Sequence, residues 1–336
     1  MKAALLTQYD KKGTKLEIRD IPIPVPADDE VLVQVMAAAV NPLDNMIIRS
    51  EVKLIVPYKM PLVMGNELAG VVVKVGKKAM HFKPGDRVYG RLPLNKIGAF
   101  AEYAAIQESA LAPIPDYLSY EEAATVPLTA LTAMQAFEIM HAQAGESIFI
   151  SGGTGSLGAM AIPIARSLGL HVYTNGSKEN EKRVYELGAE KFIDYKKENY
   201  VDVLSNVDHV LDTRGDRELP NEFKVLKPGG NLVSLRGLPN GRFAKRSGMS
   251  WGKRILFQVA GRKYDKMAAA KNQTYDFLFV HENGKQLEKV NDLFDKEHPL
   301  HTSIDTVYSL DQINQALDKV KQGKSRGKTI IKMEKA

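Results

Sequence analysis

The stretch Gly153-Thr154-Gly155-Ser156-Leu157-Gly158 constrains this chain more than any other. It follows an apolar run, Ser147-Ile148-Phe149-Ile150, and precedes a helix-like run over 159–165. A strand, a G-x-G-x-x-G turn and a helix make the dinucleotide-binding fingerprint. Gly153 allows the tight turn, Gly155 lets a pyrophosphate approach the backbone, and Gly158 lets helix and strand pack closely. The start of the helix then offers amide donors and the positive end of its dipole to phosphates. Glycine turns are common; the strand before and the helix after give this one its meaning.

The surrounding pattern extends the reading. Strand-like runs at 170–174, 191–193, 208–212 and 231–235 alternate with helical ones such as 178–187. That alternation predicts an α/β fold with a parallel, doubly wound sheet. Residues 1–120 read differently. Glu30-Val31-Leu32-Val33-Gln34-Val35 and Gly70-Val71-Val72-Val73-Lys74-Val75-Gly76 are β-branched runs bounded by Gly, Pro and Asp, as in a β-rich domain. The segment 121–140, rich in Ala, Leu and Met and free of glycine, reads as helices. A helix over 310–322 and a strand over 328–331 close the chain.

With 336 residues there is room for two domains. The absence of cysteine excludes disulfides, thiolate metal sites and a cysteine nucleophile. No apolar run approaches the roughly 20 residues that span a bilayer. The N-terminus turns polar too early for a secretory signal, so a cytoplasmic protein without a membrane span is expected. His298 and His301 are the only close histidine pair and read as a surface loop.

The net charge of +6 is unevenly placed. Segment 240–274 holds nine basic residues and one acid, Asp265. Within it Trp251, Ile255 and Val259 recur every four residues, with Leu256 adjacent. This predicts a helix with an apolar face and a basic one. Three readings stay open: a lid over a substrate, a structural helix packed on the nucleotide domain, and a membrane-surface element.

Further short motifs accompany the glycine turn: Ala39-Val40-Asn41-Pro42-Leu43-Asp44, Gly65-Asn66-Glu67-Leu68-Ala69-Gly70, Phe82-Lys83-Pro84-Gly85-Asp86-Arg87-Val88, Leu187-Gly188-Ala189, Leu226-Lys227-Pro228-Gly229-Gly230 and Gly327-Lys328. In this order and spacing the chain resembles the medium-chain dehydrogenase/reductase superfamily, and within it the zinc-independent quinone oxidoreductase and enoyl reductase branch. The resemblance implies a β-rich, GroES-like catalytic domain from residues 1–122 and 297–336. A Rossmann domain at 123–296 would be inserted in it, with the basic segment 240–274 as an insertion. It also implies a homodimer.

Zinc-dependent relatives place Cys where this chain has Asn41 and His where it has Asn66. Amides are poor zinc ligands, so no metal is expected. Without a Lewis acid the substrate must already be primed for hydride, as a quinone, enal or enone is. Its developing oxyanion then needs hydrogen-bond donors. The resemblance puts Asn41 and Asp44 in a polar cluster near the nicotinamide and Thr132 at a position that approaches it. Tyr58 falls in a region that supplies a tyrosine proton donor in some enoyl reductases. Glu67 reads as a structural support.

Cofactor choice follows from the second strand. NAD-preferring folds put an acid at its tip, about 20 residues past the first glycine. Here the strand ends Thr174-Asn175-Gly176-Ser177, and Lys178, Lys182 and Arg183 follow. A 2′-phosphate suits that pattern, so NADP(H) is expected. By resemblance Ser177, Lys182 and Tyr195 meet that phosphate, and Gly237 lies at a strand end beside the nicotinamide. The expected function is NADPH-dependent hydride transfer to a quinone or an activated double bond. The alternative is a nucleotide-binding protein with a nucleic-acid-binding or crystallin-like structural role. No basic platform interleaved with aromatics is present, so nucleic acid is not expected as the main partner.

Overall fold

The β-branched runs of the first hundred residues pair with each other and with a strand from the far end of the chain. A computed structural model describes residues 1–11, 15–300, 302–323, 325 and 327–334; His301 lies outside them. The chain divides into two compact units, Met1–Leu131 with His281–Ala336, and Thr132–Val280.

The first unit begins with β1 (Lys2–Leu6), β2 (Glu17–Asp20), β3 (Glu30–Val40), α1 (Pro42–Ile48), β4 (Leu62–Val63) and β5 (Glu67–Val75). It continues through β6 (Arg87–Arg91), β7 (Tyr103–Gln107), β8 (Leu111–Pro113) and α2 (Tyr120–Ala123) to α3 (Pro127–Met140), which carries the chain into the second unit. The second unit runs β9 (Ser147–Ile150), α4 (Ser156–Ser167), β10 (His171–Gly176), α5 (Glu181–Glu186), β11 (Lys191–Asp194) and α6 (Tyr200–Val203). It ends with β12 (Val207–Asp212), α7 (Leu219–Val225), β13 (Leu226–Ser234), α8 (Gly241–Arg246), α9 (Trp251–Ala269) and β14 (Thr274–Phe277). The chain then returns to the first unit through α10 (Gly284–Asp292), β15 (Ile304–Ser309), α11 (Ile313–Gln322) and β16 (Lys328–Lys332).

In the first unit a seven-stranded mixed sheet has the order β15-β16-β3-β5-β6-β8, with β7 also on β3. A three-stranded sheet, β2-β1-β4, accompanies it. β3 is the hub. It pairs antiparallel with β16, β5 and β7. Its eleven residues are almost all buried, which explains an apolar run longer than strict alternation would give.

In the second unit six parallel strands have the order β11-β10-β9-β12-β13-β14. This is the doubly wound Rossmann order, and it reverses between β9 and β12. Ile148, Phe149 and Ile150 of β9 are fully buried, as a central parallel strand covered on both faces requires. The glycine turn leaves the carboxyl end of this strand, where such sheets bind ligands. Among the described residues no helix is long and apolar enough to cross a membrane.

The structure bears on two of the readings of 240–274. The segment is not an appendage: α8 and α9 form the crossover from β13 to β14, a parallel strand the sequence pattern did not reveal. Nor does the Trp251/Ile255/Val259 stripe pack on the sheet. The buried residues of α9 are Phe257, Gly261, Tyr264 and Ala268. A Cβ at Gly261 would lie 2.4 Å from that of Asn240. The helix therefore needs glycine there, and its weakly apolar side turns inward.

Candidate active site

In the first unit, strand register gathers four polar side chains into one row. β16 pairs Thr329 with Val40, so Lys328 comes beside Asn41, which follows β3. β3 pairs Ala38 with Leu68, which brings Glu67 alongside. β5 then pairs Glu67 with Arg91 at the end of β6. All four are buried.

The row is tightly bonded. The Lys328 ammonium donates to Asn41 Oδ1 at 2.5 Å and to Glu67 Oε1 at 2.7 Å. Asn41 Nδ2 donates to Glu67 Oε1 at 2.7 Å and to the Ala39 carbonyl at 3.2 Å. The Leu128 amide donates to Glu67 Oε2 at 2.6 Å. Asp44 joins from the first turn of α1. It accepts from the Asn41 amide at 2.7 Å and from Asn66 Nδ2 at 2.8 Å. Burial raises the Asp44 carboxyl to about 7, against the donors that favour its anion. Asn41 thus has both amide protons and its carbonyl engaged within the unit.

Arg91 is different. Its Nη1 donates to the Leu92 carbonyl and lies 3.8 Å from Glu282 Oε2. Its Nε and Nη2 are buried without a hydrogen-bond partner, and so is Asn66 Oδ1. Burial lowers the Arg91 pKa, offset by Tyr58, Glu282, Glu67 and Asp44 around it. Tyr58 stands in the same neighbourhood. Burial lifts its phenol to about 12, partly opposed by the Arg91 charge. The structure therefore brings Asn41, Asp44 and Tyr58 together, and adds Lys328, which the sequence offers only within the Gly327-Lys328 motif, and Arg91, which no motif marks. Thr132 belongs to α3 in the second unit and is buried there.

The donor set does not suit zinc. The Asn41 carbonyl and the Glu67 carboxylate face an ammonium, and the Asn66 amide faces Asp44. Among the described residues no group of three or more His, Cys, Asp or Glu is arranged to hold a metal ion.

The second unit holds the glycine turn. A Cβ on Gly153 would sit 2.1 Å from Thr174 Oγ1, and one on Gly158 would sit 2.1 Å from the Gly153 carbonyl. On Gly155 it would meet nothing nearer than 3.7 Å. Two glycines close the turn and the third leaves its outer side open, which fits a pyrophosphate. Gly155 caps α4 with no side-chain cap, so Ser156, Leu157 and Gly158 begin the helix with their amides outside its own ladder. Thr154 packs against the end of β10, 2.1 Å from where a Gly176 Cβ would be.

At the tip of β10 the parallel register sets Gly176 beside Asp194, and the Tyr195 amide bonds the Gly176 carbonyl at 3.2 Å. Tyr195 and Ser177 are thereby neighbours. Lys182 is 91% exposed, with Glu186 at 3.8 Å, whereas Lys178 is paired with Glu181. One acid reaches the tip after all. Glu179 accepts from the Ser177 hydroxyl and lies 3.4 Å from Lys196, and its pKa falls to about 2. Gly237 is packed tightly; its amide bonds Ser234 Oγ at 2.7 Å, and a Cβ there would meet the Tyr275 hydroxyl at 2.4 Å. Ser234 Oγ donates to buried Asp212 at 2.5 Å.

Comparison with known proteins agrees with this geometry. Residues 27–116 match the family model "Alcohol dehydrogenase GroES-like domain", and residues 187–331 match "Zinc-binding dehydrogenase". The chain is 36% identical to the 2-methylene-furan-3-one reductase of Solanum lycopersicum over 70% of its own length, but this spans only 62% of that protein. It is 30% identical to the quinone oxidoreductase of Homo sapiens, covering 75% of this chain and 79% of the human one. A solved quinone oxidoreductase from Coxiella burnetii superposes with a TM-score of 0.82 at 25% identity, covering 99% of both chains. Fold, motifs and relatives converge: the chain belongs to the medium-chain dehydrogenase/reductase superfamily.

Proposed function

We propose that the protein is an NADPH-dependent reductase of quinones or α,β-unsaturated carbonyls that works without zinc. The observation that carries this reading is the buried Lys328 ammonium between Asn41 and Glu67. The carboxylate that could have served a metal already has a cation, which supports a site that works without a Lewis acid. A substrate electrophilic in its own right remains. The names of the tomato and human relatives support that substrate class.

The open outer side of Gly155 and the amides opening α4 suit a dinucleotide pyrophosphate. Ser177, Lys182 and Tyr195 would hold the 2′-phosphate, with Lys178 committed to Glu181. Thr132 and Gly237 are assigned to the nicotinamide side. The bound nicotinamide supplies the hydride. In the first unit, Asn41 and Asp44 act as positioning residues, since their hydrogen-bonding groups are spent on one another and on their neighbours. Tyr58, half-buried beside the buried Arg91 charge, is the donor placed to meet an acceptor oxygen as charge develops on it.

The test is NADPH and NADH oxidation against a panel of quinones, enals and enones, before and after exhaustive chelation. The expected result is at least about tenfold preference for NADPH and no loss on chelation. Equal use of both cofactors overturns the cofactor assignment. Activity lost on chelation and restored by zinc overturns the metal-free reading.

A further inference from the structure

We propose that the outward face of α9 is a docking surface for anionic lipid bilayers. The inference is independent of the redox chemistry above. It starts from the two sides of one helix. Phe257, Gly261, Tyr264 and Ala268 are buried. On the opposite side Trp251 is 79% exposed, Val259 67%, Leu256 48% and Ile255 42%. A helical run of four large apolar side chains in water is unusual for a soluble surface. One turn further on, the same side carries exposed Arg262, Lys263 and Lys266.

The charge on this face is uncompensated. The only acid of the segment, Asp265, is held by Asn240 at 2.8 Å. Arg242 and Arg246 are spent on Asp276. Among the described residues Arg262, Lys263 and Lys266 form no ion pair with a carboxylate; Lys263 lies only over the Tyr264 ring. The face is thus apolar along its first half and cationic along its second, with no acid among its own outward residues; Asp216 packs against α9 through the Tyr264 hydroxyl at 2.7 Å.

Three occupants could cover it, and the chemistry selects one. A second copy paired two-fold about the apolar half would cover Ile255, Leu256 and Val259 but leave Arg262, Lys263 and Lys266 without a carboxylate partner. A nucleic acid would satisfy the cations and leave Ile255, Leu256 and Val259 in water. An anionic bilayer takes both halves: Trp251, Ile255, Leu256 and Val259 enter the headgroup boundary while Arg262, Lys263 and Lys266 meet lipid phosphates and carboxylates.

Trp251 is the chain's single tryptophan, so the native protein carries its own reporter. The experiment follows tryptophan emission and co-sedimentation of the full chain with phosphatidylcholine vesicles, with or without phosphatidylserine, at low and high salt. The expected result is a blue shift and co-sedimentation only with phosphatidylserine, both reduced by salt. The triple variant Arg262→Glu/Lys263→Glu/Lys266→Glu should lose co-sedimentation by about tenfold or more, given roughly one kcal/mol per cation near a charged surface. No shift and no co-sedimentation with anionic vesicles overturns the proposal. So does a lipid-free protein whose emission is already blue-shifted in a concentration-dependent dimer, which would assign the face to a second copy. Vesicle binding unchanged in the charge-reversal variant overturns it as well.

Discussion

Both units bury carboxyl groups, and Glu67 in the first and Glu222 in the second are treated in opposite ways. In the first unit Glu67 and Asp44 sit among cations: Lys328 bonds Glu67 directly, and Arg91 faces both. In the second unit Asp212 and Glu222 are fully buried with no cation bonded to either. Asp212 is served by the Ser234 hydroxyl and by the Arg214 and Gly215 amides. Both Glu222 oxygens are buried, beside Asp212 and the Ser151 side chain. Burial, reinforced by Asp212, raises its pKa well above the ordinary glutamate range. Glu67 is neutralised by a buried base, whereas burial favours the protonated form of Glu222. The first solution fails when a partner is removed, and the second fails as pH rises.

The largest effect is expected from breaking the first solution. Lys328→Met leaves Glu67 buried without its cation and should cost about 3–5 kcal/mol of stability. Adding Glu67→Gln to that variant should restore most of the loss. Urea unfolding of the three proteins measures this. A single variant as stable as the parent would show that Glu67 does not need the ion pair.

Glu222→Gln should have a smaller effect of opposite sign. Below the ordinary glutamate pKa both folded and unfolded chains hold the proton, and the variant gains nothing. Above it the unfolded chain releases a proton that the fold retains, so native stability falls as pH rises towards the raised folded pKa. The variant should therefore be more stable at neutral pH by roughly 1–3 kcal/mol, with a flatter dependence of Tm on pH. Asp44 gives the same sign in the first unit, but its window closes near pH 7, where its own raised pKa lies. A Tm profile of Glu222→Gln parallel to the parent from pH 5 to 8 would contradict the protonated assignment.

The smallest effect belongs to the surface, where water replaces the buried partner. Glu179 bonds Ser177 at the β10 tip, where its charge would oppose the proposed 2′-phosphate. Glu179→Gln should raise the NADPH:NADH ratio of kcat/KM by about two- to threefold at low salt, and by less at high salt. A ratio that falls would show that the carboxylate orients Ser177 usefully.

The sequence reveals what is local. The glycine turn, the alternation after it and the helix of 240–274 are written in contiguous residues, and each is present. Asn41, Asp44 and Glu67 could be singled out because they sit in short motifs. Arg91 sits in none, and the Gly327-Lys328 motif gives Lys328 no partner: both join that cluster only through the register of β16, β3, β5 and β6, set by strands far apart in the chain. α9 shows a different limit. Periodicity marks its two faces, Trp251-Ile255-Val259 and Phe257-Gly261-Tyr264-Ala268, but does not say which one turns inward. The more apolar face was the natural choice. The close approach at Asn240 decides otherwise, because only glycine at 261 allows it. Likewise the acid at the β10 tip comes from Glu179, two residues beyond the strand-end motif, by a side chain folding back on Ser177.

The ion pair across the first unit also sets an order of events during synthesis. Glu67 and Lys328 are 261 residues apart in sequence, and the whole second unit is translated between them. At ribosomal speeds the carboxylate waits on the order of 10–60 s for its base. During that interval β3 lacks its β16 neighbour and the nascent first unit presents an open sheet edge with an unneutralised acid beside it. The second unit, contiguous in the chain, can close while the first is still waiting. The half of the protein that starts first finishes last, and it is the half for which a holding chaperone has the longest opportunity.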